Sequence, residues 1–404
     1  MAYMTLEKSF YADSSSERHA NHAALHSARL NADSSIRTGI ELENGELFCA
    51  VPIGLTLSSQ DIYKTECRIA SLWGSLPYVA RGAFVRSLVL DEVVNSNQIE
   101  GVHSTRRQVE VALAKTNSSG DKHTPFSEFA RLYLALCDGV DLPTKPADVR
   151  AIFDAVMDGS LSEAAKPDGG LFRNGPVHIE DNRGKVIHEG VSSEEKICSL
   201  LDQMIQLNLR EDVPSLFSAV LGHFIFEYIH PFYDGNGRTG RYLLALYLSK
   251  SLSQVTVLSL SRTIAENKNA YYKAFDAVER PLNCSEATPF VEMLFGLIET
   301  AQAETVVSLE QKRERLSRLD GALLGMQDAL PARCVEALRY AGQMHLFEAF
   351  GETALTGLAE HLEVSKATTS KCLRDLVDTG FLEKVSARPF VCRLTEQGIA
   401  QLGI

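Results

Sequence analysis

From Ser58 onward apolar residues recur at helical spacing, with Ile62, Ile69 and Leu72 followed by Val85, Leu88 and Val89. This predicts two helices parted at Leu76-Pro77. The second is expected to stop near Ile99, where Glu100-Gly101 supplies a C-terminal signal. Helical patterns resume over Ser127–Leu136 and Pro146–Met157, then give way at Gly169-Gly170. Pro176–Ile179 and Lys185–His188 read as two short strands around a Gly-bearing turn, a β-hairpin. Helices are predicted again over Ser193–Leu209, Pro214–Ile229 and Tyr242–Leu252, with a long charged connector over Phe290–Leu316. The last residues read as Arg333–Met344, then a helix-turn-helix of Leu355–Glu360 and Lys366–Asp378. Wing strands Phe381–Val385 and Phe390–Leu394 follow. The fold class expected is mainly α: a helical core with a β-hairpin, plus a C-terminal winged helix-turn-helix domain. A β-like stretch stands at Leu47–Ile53, and the Ser-, Ala-, Asn- and His-rich N-terminus reads as a loosely ordered arm. The polar cluster Lys115–His123 reads as a boundary.

With 404 residues, two or three domains are expected at about 150 residues each. A net charge of −12 argues against a chain that coats nucleic acid or anionic lipid over its whole surface. No window approaches the ~20 apolar residues of a membrane span, so no membrane partner is expected. Met1–Asn31 lacks the layout of a signal peptide. Eight cysteines lie far apart with no C-x-x-C pair, which fits reduced thiols and a cytoplasmic location.

The run His230-Pro231-Phe232-Tyr233-Asp234-Gly235-Asn236-Gly237-Arg238-Thr239-Gly240-Arg241 is unlike the rest. An apolar helix runs into it and another runs out. Pro231 breaks the first helix and leaves the His230 imidazole at its end, a candidate general base. The glycines let backbone N–H groups turn towards an anion at a helix N-terminus. Arg238 and Arg241, three apart, share a face suited to phosphates. Asp234 supplies one carboxylate for Mg²⁺ held jointly with phosphate oxygens. Gly-Lys-Ser/Thr is missing, so this is not a Walker loop. Two other readings stand beside it. One is a structural Gly-rich loop between buried helices; the other is a zinc site on His223, Glu227 and His230, which share a helical face.

His230–Arg241 resembles the signature of Fic-domain proteins, H-P-F-x-[DE]-G-N-G-R-x-x-R, at every specified position. The resemblance extends to the preceding helix (Ala219–Ile229), to a hairpin flap (Gly170–His188) and to Tyr271-Tyr272, covering roughly residues 45–300. It implies a Fic-type helical core and transfer of AMP from ATP to a hydroxyl of a target protein. In that scheme His230 is the base and Asp234 holds Mg²⁺. The ATP-binding residues are Gly235, Asn236, Gly237, Arg238, Thr239, Gly240 and Arg241, with Tyr272 lining the adenine pocket. Val186 and Ile187 of the flap would dock the target segment. Ser96-Asn97-Gln98-Ile99-Glu100-Gly101 is similar to the family's inhibitory motif. Ser96, Glu100 and Gly101 are its specified positions, and Glu100 would pair with Arg241 to exclude a productive ATP pose. The same Glu100 could orient water to remove AMP.

The domains implied are an arm (1–40), a helical region with the inhibitory helix (41–120) and a catalytic core (121–300). A connector (301–325) and a winged helix (326–404) complete the chain. Lys366, Lys371 and Arg374, with Thr368, Thr369 and Ser370, fall on the recognition helix. Residues 351–404 nevertheless carry six basic and seven acidic side chains. The module is therefore open to DNA, to a protein partner or to a second copy of the chain in a homodimer. The alternative to an enzyme is a winged-helix transcriptional regulator that senses nucleotide; a third reading is a relative using another phosphate donor.

Overall fold

The computed structural model describes residues 3–115, 126–136, 139–180 and 186–404. The polar cluster expected as a boundary lies almost wholly outside them, as does the turn of the hairpin. Contacts divide the chain into two units, Met1–Glu66 with Asp91–Gln302, and Cys67–Leu90 with Ala303–Ile404.

The first unit opens with α1 (Leu6–Ala12), α2 (Arg18–Leu30) and an antiparallel pair, β1 (Ile36–Leu42) and β2 (Gly45–Cys49). Most of the described part of the arm expected over 1–40 is thus regular structure, in place of the loose order expected. Thr5 caps α1, with its hydroxyl accepting from Lys8 N. Leu6 and Phe10 are buried. The anchors lie far along the chain: Arg29 donates to the buried Glu286 carboxylate at 2.8 Å, and His22 Nε2 sits 2.7 Å from the Leu282 carbonyl. Local periodicity carries no trace of such partners.

Two long helices follow, α3 (Ile53–Gly74) and α4 (Tyr78–Ile99), parted at Leu76-Pro77. Both contribute turns to each unit. Next come α5 (Arg106–Lys115), α6 (Ser127–Ala135), α7 (Pro146–Val156) and the antiparallel pair β3 (His178–Glu180) and β4 (Val186–Glu189). The centre of the unit is made by α8 (Glu194–Leu209), α9 (Ser215–Ile229) and α10 (Asn236–Leu248). Most side chains of α9 and α10 are buried, as expected for helices apolar on nearly every side. Gly222 lets α9 approach α8 closely: a Cβ there would lie 2.3 Å from Asn208 Nδ2. Short helices α11 (Gln254–Val257), α12 (Leu260–Glu266) and α13 (Lys268–Glu279) lead to the 37-residue α14 (Thr288–Leu324). Glu92 of α4 is buried and accepts from the Ser261 backbone and hydroxyl, which fixes the end of α4 against α12. Burial pushes its carboxyl up to about 7.

The second unit holds α15 (Ala332–Phe347), β5 (Glu352–Ala354), α16 (Leu355–His361), α17 (Lys366–Asp378), β6 (Leu382–Ala387), β7 (Phe390–Leu394) and α18 (Glu396–Leu402). The three strands form an antiparallel sheet in the order β5-β7-β6. This is the winged pattern with one strand and a closing helix that periodicity did not signal. Ser365 caps α17. Lys366, Lys371 and Arg374 are exposed, whereas Thr369 is buried with its hydroxyl on the Ser365 carbonyl and cannot reach outward. Lys312 is held over the rings of Phe84 and Phe347 and donates to the Leu346 carbonyl. No helix among the described residues is long and apolar enough to cross a membrane.

Candidate active site

The site is built where α9 stops. Pro231 cannot continue the helix, and His230 takes a left-handed backbone (φ 50°) as the C-cap, its N–H on the Phe226 carbonyl. A non-glycine residue there is strained by roughly 1–3 kcal/mol and must be held by its surroundings. Arg173 supplies that hold. It is fully buried and donates from Nε to the His230 carbonyl at 2.8 Å, from Nη1 to Gly175 O at 2.7 Å and from Nη2 to Val191 O at 2.9 Å and Ile229 O at 3.3 Å. Its partners are all carbonyls, so it ties the base of the hairpin to the end of α9. Gly190 makes the fit possible, since a Cβ there would meet Arg173 Nη2 at 2.5 Å and His230 Cβ at 3.1 Å.

The His230 ring is half-buried, with Nδ1 3.4 Å from the Glu227 carbonyl. Nδ1 facing an acceptor assigns the proton to that nitrogen and leaves the Nε2 lone pair free to accept one. Burial, with His188 and Arg173 close by, pushes the imidazole down to about 4, so it is neutral near pH 7.

The following loop is stapled by its own side chains. Asn236 Oδ1 accepts from Phe232 N at 2.9 Å, and its Nδ2 donates to Phe232 O at 2.8 Å. Its side-chain amide is therefore spent on shaping the loop. Thr239 likewise donates its hydroxyl to Gly235 O at 2.9 Å and is buried. Phe232 stacks on Phe153 at 3.6 Å, and Tyr233 donates to Asp168 at 2.9 Å while accepting from Gly175 N. Gly235 adopts φ 84° against Met157, whose Sδ would lie 2.4 Å from a Cβ. α10 then starts with its N-terminal N–H groups free of side-chain caps.

Arg238 is buried, with Nη2 3.6 Å from Asp234 Oδ1 and no hydrogen-bond partner on Nε. Burial lowers its pKa, the mark of a cation lacking full compensation. Asp234 is exposed, and its Oδ1 accepts from Gly235 N at 2.6 Å.

Arg241, by contrast, is fully engaged. Its Nη1 donates to Glu100 Oε1 at 2.8 Å, its Nε to Ser96 Oγ at 3.0 Å and its Nη2 to Ser96 O at 2.8 Å. The guanidinium is 2 % exposed and the carboxylate side chain 30 %. Burial acts to raise the Glu100 pKa, but Arg241, then Arg238 and Lys268, outweigh it and hold the carboxyl below its usual value. Gly237 is where the carboxylate meets the loop: a Cβ there would stand 2.2 Å from Glu100 Oε1. Gly101, at φ 72°, turns the chain at the end of α4.

Of the remaining expected residues, Gly240 packs against Glu227, with a Cβ–Oε1 approach of 2.2 Å. Tyr272 is 42 % exposed, while Tyr271 is buried and bonded through its hydroxyl to His223 Nε2 at 2.6 Å. The other His223 nitrogen lies 3.1 Å from the Gly240 carbonyl. Both ring nitrogens are thus occupied within the core, and no cluster of three metal-binding side chains occurs among the described residues. Zinc on His223, Glu227 and His230 is therefore not the arrangement adopted. Val186 is exposed on β4; the side chain of Ile187 lies outside the described residues. Arg173, Lys268 and His188 stand at the site with no motif to signal them; His188 bridges Glu279 Oε2 at 2.7 Å and Tyr228 O at 2.9 Å. Glu227 is likewise unsignalled as a carboxyl with a buried, partnerless Oε1, pushed up to about 8 by burial.

Residues 143–248 match the Fic/DOC family model, and residues 344–386 match the IclR helix-turn-helix domain. Solved structures similar to the chain include a Fic family protein from Desulfovibrio desulfuricans G20. It is 21% identical, with 83% of this chain and 96% of that one covered and a TM-score of 0.49. A Fic domain containing signaling protein from Bacteroides thetaiotaomicron VPI-5482 is 19% identical, with coverage of 62% and 97% and a TM-score of 0.47. Fic-1 (residues 134–508) from C. elegans is 16% identical, with coverage of 76% and 81% and a TM-score of 0.49. Residues 143–248, which hold the loop and the helices on either side of it, are thus similar to the Fic/DOC family, and residues 344–386 of the C-terminal winged pattern are similar to the IclR helix-turn-helix domain.

Proposed function

We propose that the chain is an autoinhibited protein adenylyltransferase, moving AMP from ATP to a Ser, Thr or Tyr hydroxyl of a target protein and of itself. The observation that carries this reading is the grip on Arg241. An arginine of the anion loop is held at 2.8 Å by a carboxylate just past the end of α4, 141 residues upstream. That carboxylate also lies against the loop at Gly237. A merely structural ion pair has no need to lie against an anion-binding backbone.

In the forward reaction Nε2 of His230 takes the proton of the attacking hydroxyl. The hydroxyl oxygen bonds to the α-phosphorus, the α–β anhydride bond breaks, and pyrophosphate leaves. Most of the rate enhancement comes from positioning and charge neutralisation. Arg238, with its unpartnered Nε, and the N–H groups opening α10 are suited to negative charge. Asp234 suits Mg²⁺ brought with the nucleotide: one exposed carboxylate completed by phosphate oxygens is the usual donor set. When bound, that ion would neutralise charge on the phosphates. Glu100 restrains transfer by keeping Arg241 from the nucleotide and by repelling a triphosphate at Gly237. Tyr272, exposed on α13, is suited to an adenine ring, and Val186-Ile187 on β4 to a strand of the target.

The test is intact-mass analysis after incubation with ATP and Mg²⁺. Glu100→Gly should gain the mass of AMP and the unaltered chain little; no gain by either, with ATP bound, refutes the reading. The match to an IclR helix-turn-helix, with Lys366, Lys371 and Arg374 exposed, favours a second reading: nucleotide-dependent DNA binding. Duplex binding by the full chain that weakens with salt and responds to ATP would support it.

A further inference from the structure

α4 ends in a tight cap. Val102 N donates to Asn97 O at 2.9 Å and Gly101 N to Gln98 O at 3.1 Å, with Gly101 left-handed between them. This cap satisfies the carbonyls of Asn97 and Gln98 but not that of Ile99, the residue directly before Glu100. Lys268, the first residue of α13, fills that gap: its Nζ donates to the Ile99 carbonyl. The ammonium also lies 5.6 Å from the Tyr272 ring centroid, one helical turn along α13. A carboxylate at a helix C-terminus faces the negative end of the helix dipole, so Glu100 stands where its charge is disfavoured unless cations offset it. Arg241 grips the carboxylate and Lys268 grips the backbone beside it.

We propose that Lys268 is a positioning residue that latches the end of α4, so that Glu100 stays on Arg241 and Gly237. The inference rests on the reading of Glu100 as a brake and names what holds it in place. Swinging Glu100 away requires the last turn of α4 to move, and Lys268 is bonded to that turn from a different helix. The latch touches neither His230 nor the loop glycines, so its loss acts on restraint rather than on the chemistry.

The test uses the full chain with α-³²P-labelled ATP and Mg²⁺. It compares wild type, Lys268→Met, Lys268→Arg, Glu100→Gly and the double variant Glu100→Gly/Lys268→Met. Lys268→Met should raise labelling by about tenfold, the loss of one charge-assisted hydrogen bond. Lys268→Arg, which keeps a donor and a charge, should stay near wild type. In the Glu100→Gly background the same Met substitution should produce no rise. Lys268→Met at the wild-type level while Glu100→Gly labels strongly overturns the latch and leaves the brake standing. An equal fall in both backgrounds also overturns it, because a general structural role would act with or without Glu100. A second readout does not depend on transfer chemistry: amide hydrogen exchange at Glu100, Gly101 and Val102 should quicken in Lys268→Met. Unchanged exchange there overturns the latch even if no variant takes up label.

Discussion

Replacing Glu100 with alanine should weaken the free protein and strengthen its response to ATP. The substitution leaves Nη1 of Arg241 without its partner while the guanidinium, 2 % exposed, stays buried. Breaking a buried pair from one side costs about 3–5 kcal/mol, and the 30 % exposure of the Glu100 side chain places this case near the low end, about 3 kcal/mol. Arg241 keeps both Ser96 bonds, which limits the loss. For a unit of this size about 3 kcal/mol corresponds to a fall of roughly 6 °C in melting temperature. A triphosphate supplies the missing negative charge, and ligand at 100 times its Kd returns about 2.7 kcal/mol. Thermal unfolding should therefore show the variant melting lower alone, recovering most of the difference with ATP and Mg²⁺, and gaining little from adenosine. Wild type should gain less from ATP than the variant does, because its carboxylate opposes the phosphates. A variant that melts within about 1 °C of wild type would show that Glu100 does not stabilise Arg241, and one that ATP stabilises less than wild type would show that the carboxylate does not oppose the phosphates.

Arg173→Lys should cost several kcal/mol of stability, since a lysine cannot serve four carbonyls and about 1–3 kcal/mol attaches to each buried acceptor left unpaired; chemical denaturation measures it. Glu227, raised to about 8, is protonated in the folded chain where the unfolded chain is ionised. Its contribution to stability is present below pH 4.5 and lost as pH rises through 8, with a slope approaching 1.4 kcal/mol per unit. Glu227→Gln should accordingly gain on wild type at pH 8 relative to pH 5, and parallel curves would contradict the assignment. His230, held down to about 4, gives stability that is present above 6.5 and falls away as pH drops through 4. In Glu100→Gly the acid limb of kcat/KM should lie well below 6.5 in the same way.

The helices were legible where burial repeats at helical spacing, as in α3, α4, α8 and α9, and the loop was legible because three glycines, an acid and two arginines are chemically conspicuous. Other features depend on partners remote in sequence. The arm is ordered by Glu286 and Asn283, more than 250 residues away. The motif does not show that the Asn236 side-chain amide is bonded four residues away at Phe232. Arg173 lies in an irregular stretch whose only sequence signal is Gly169-Gly170, and its five-donor fork becomes meaningful once Ile229 and His230 are folded against it. Thr369 has the composition of a recognition-helix contact but the register of a core residue.

In the proposed reaction His230 serves as the base for transfer of AMP and Glu100 restrains that transfer. The most direct measurement counts label on protein after incubating wild type, Glu100→Gly and Glu100→Gly/His230→Ala with α-³²P-labelled ATP and Mg²⁺. Strong labelling of the single variant, little of wild type and none of the double variant is the expected result. Label on the double variant equal to that on the single would remove His230 as the base, and no label on any of the three with ATP binding intact would contradict adenylyl transfer itself.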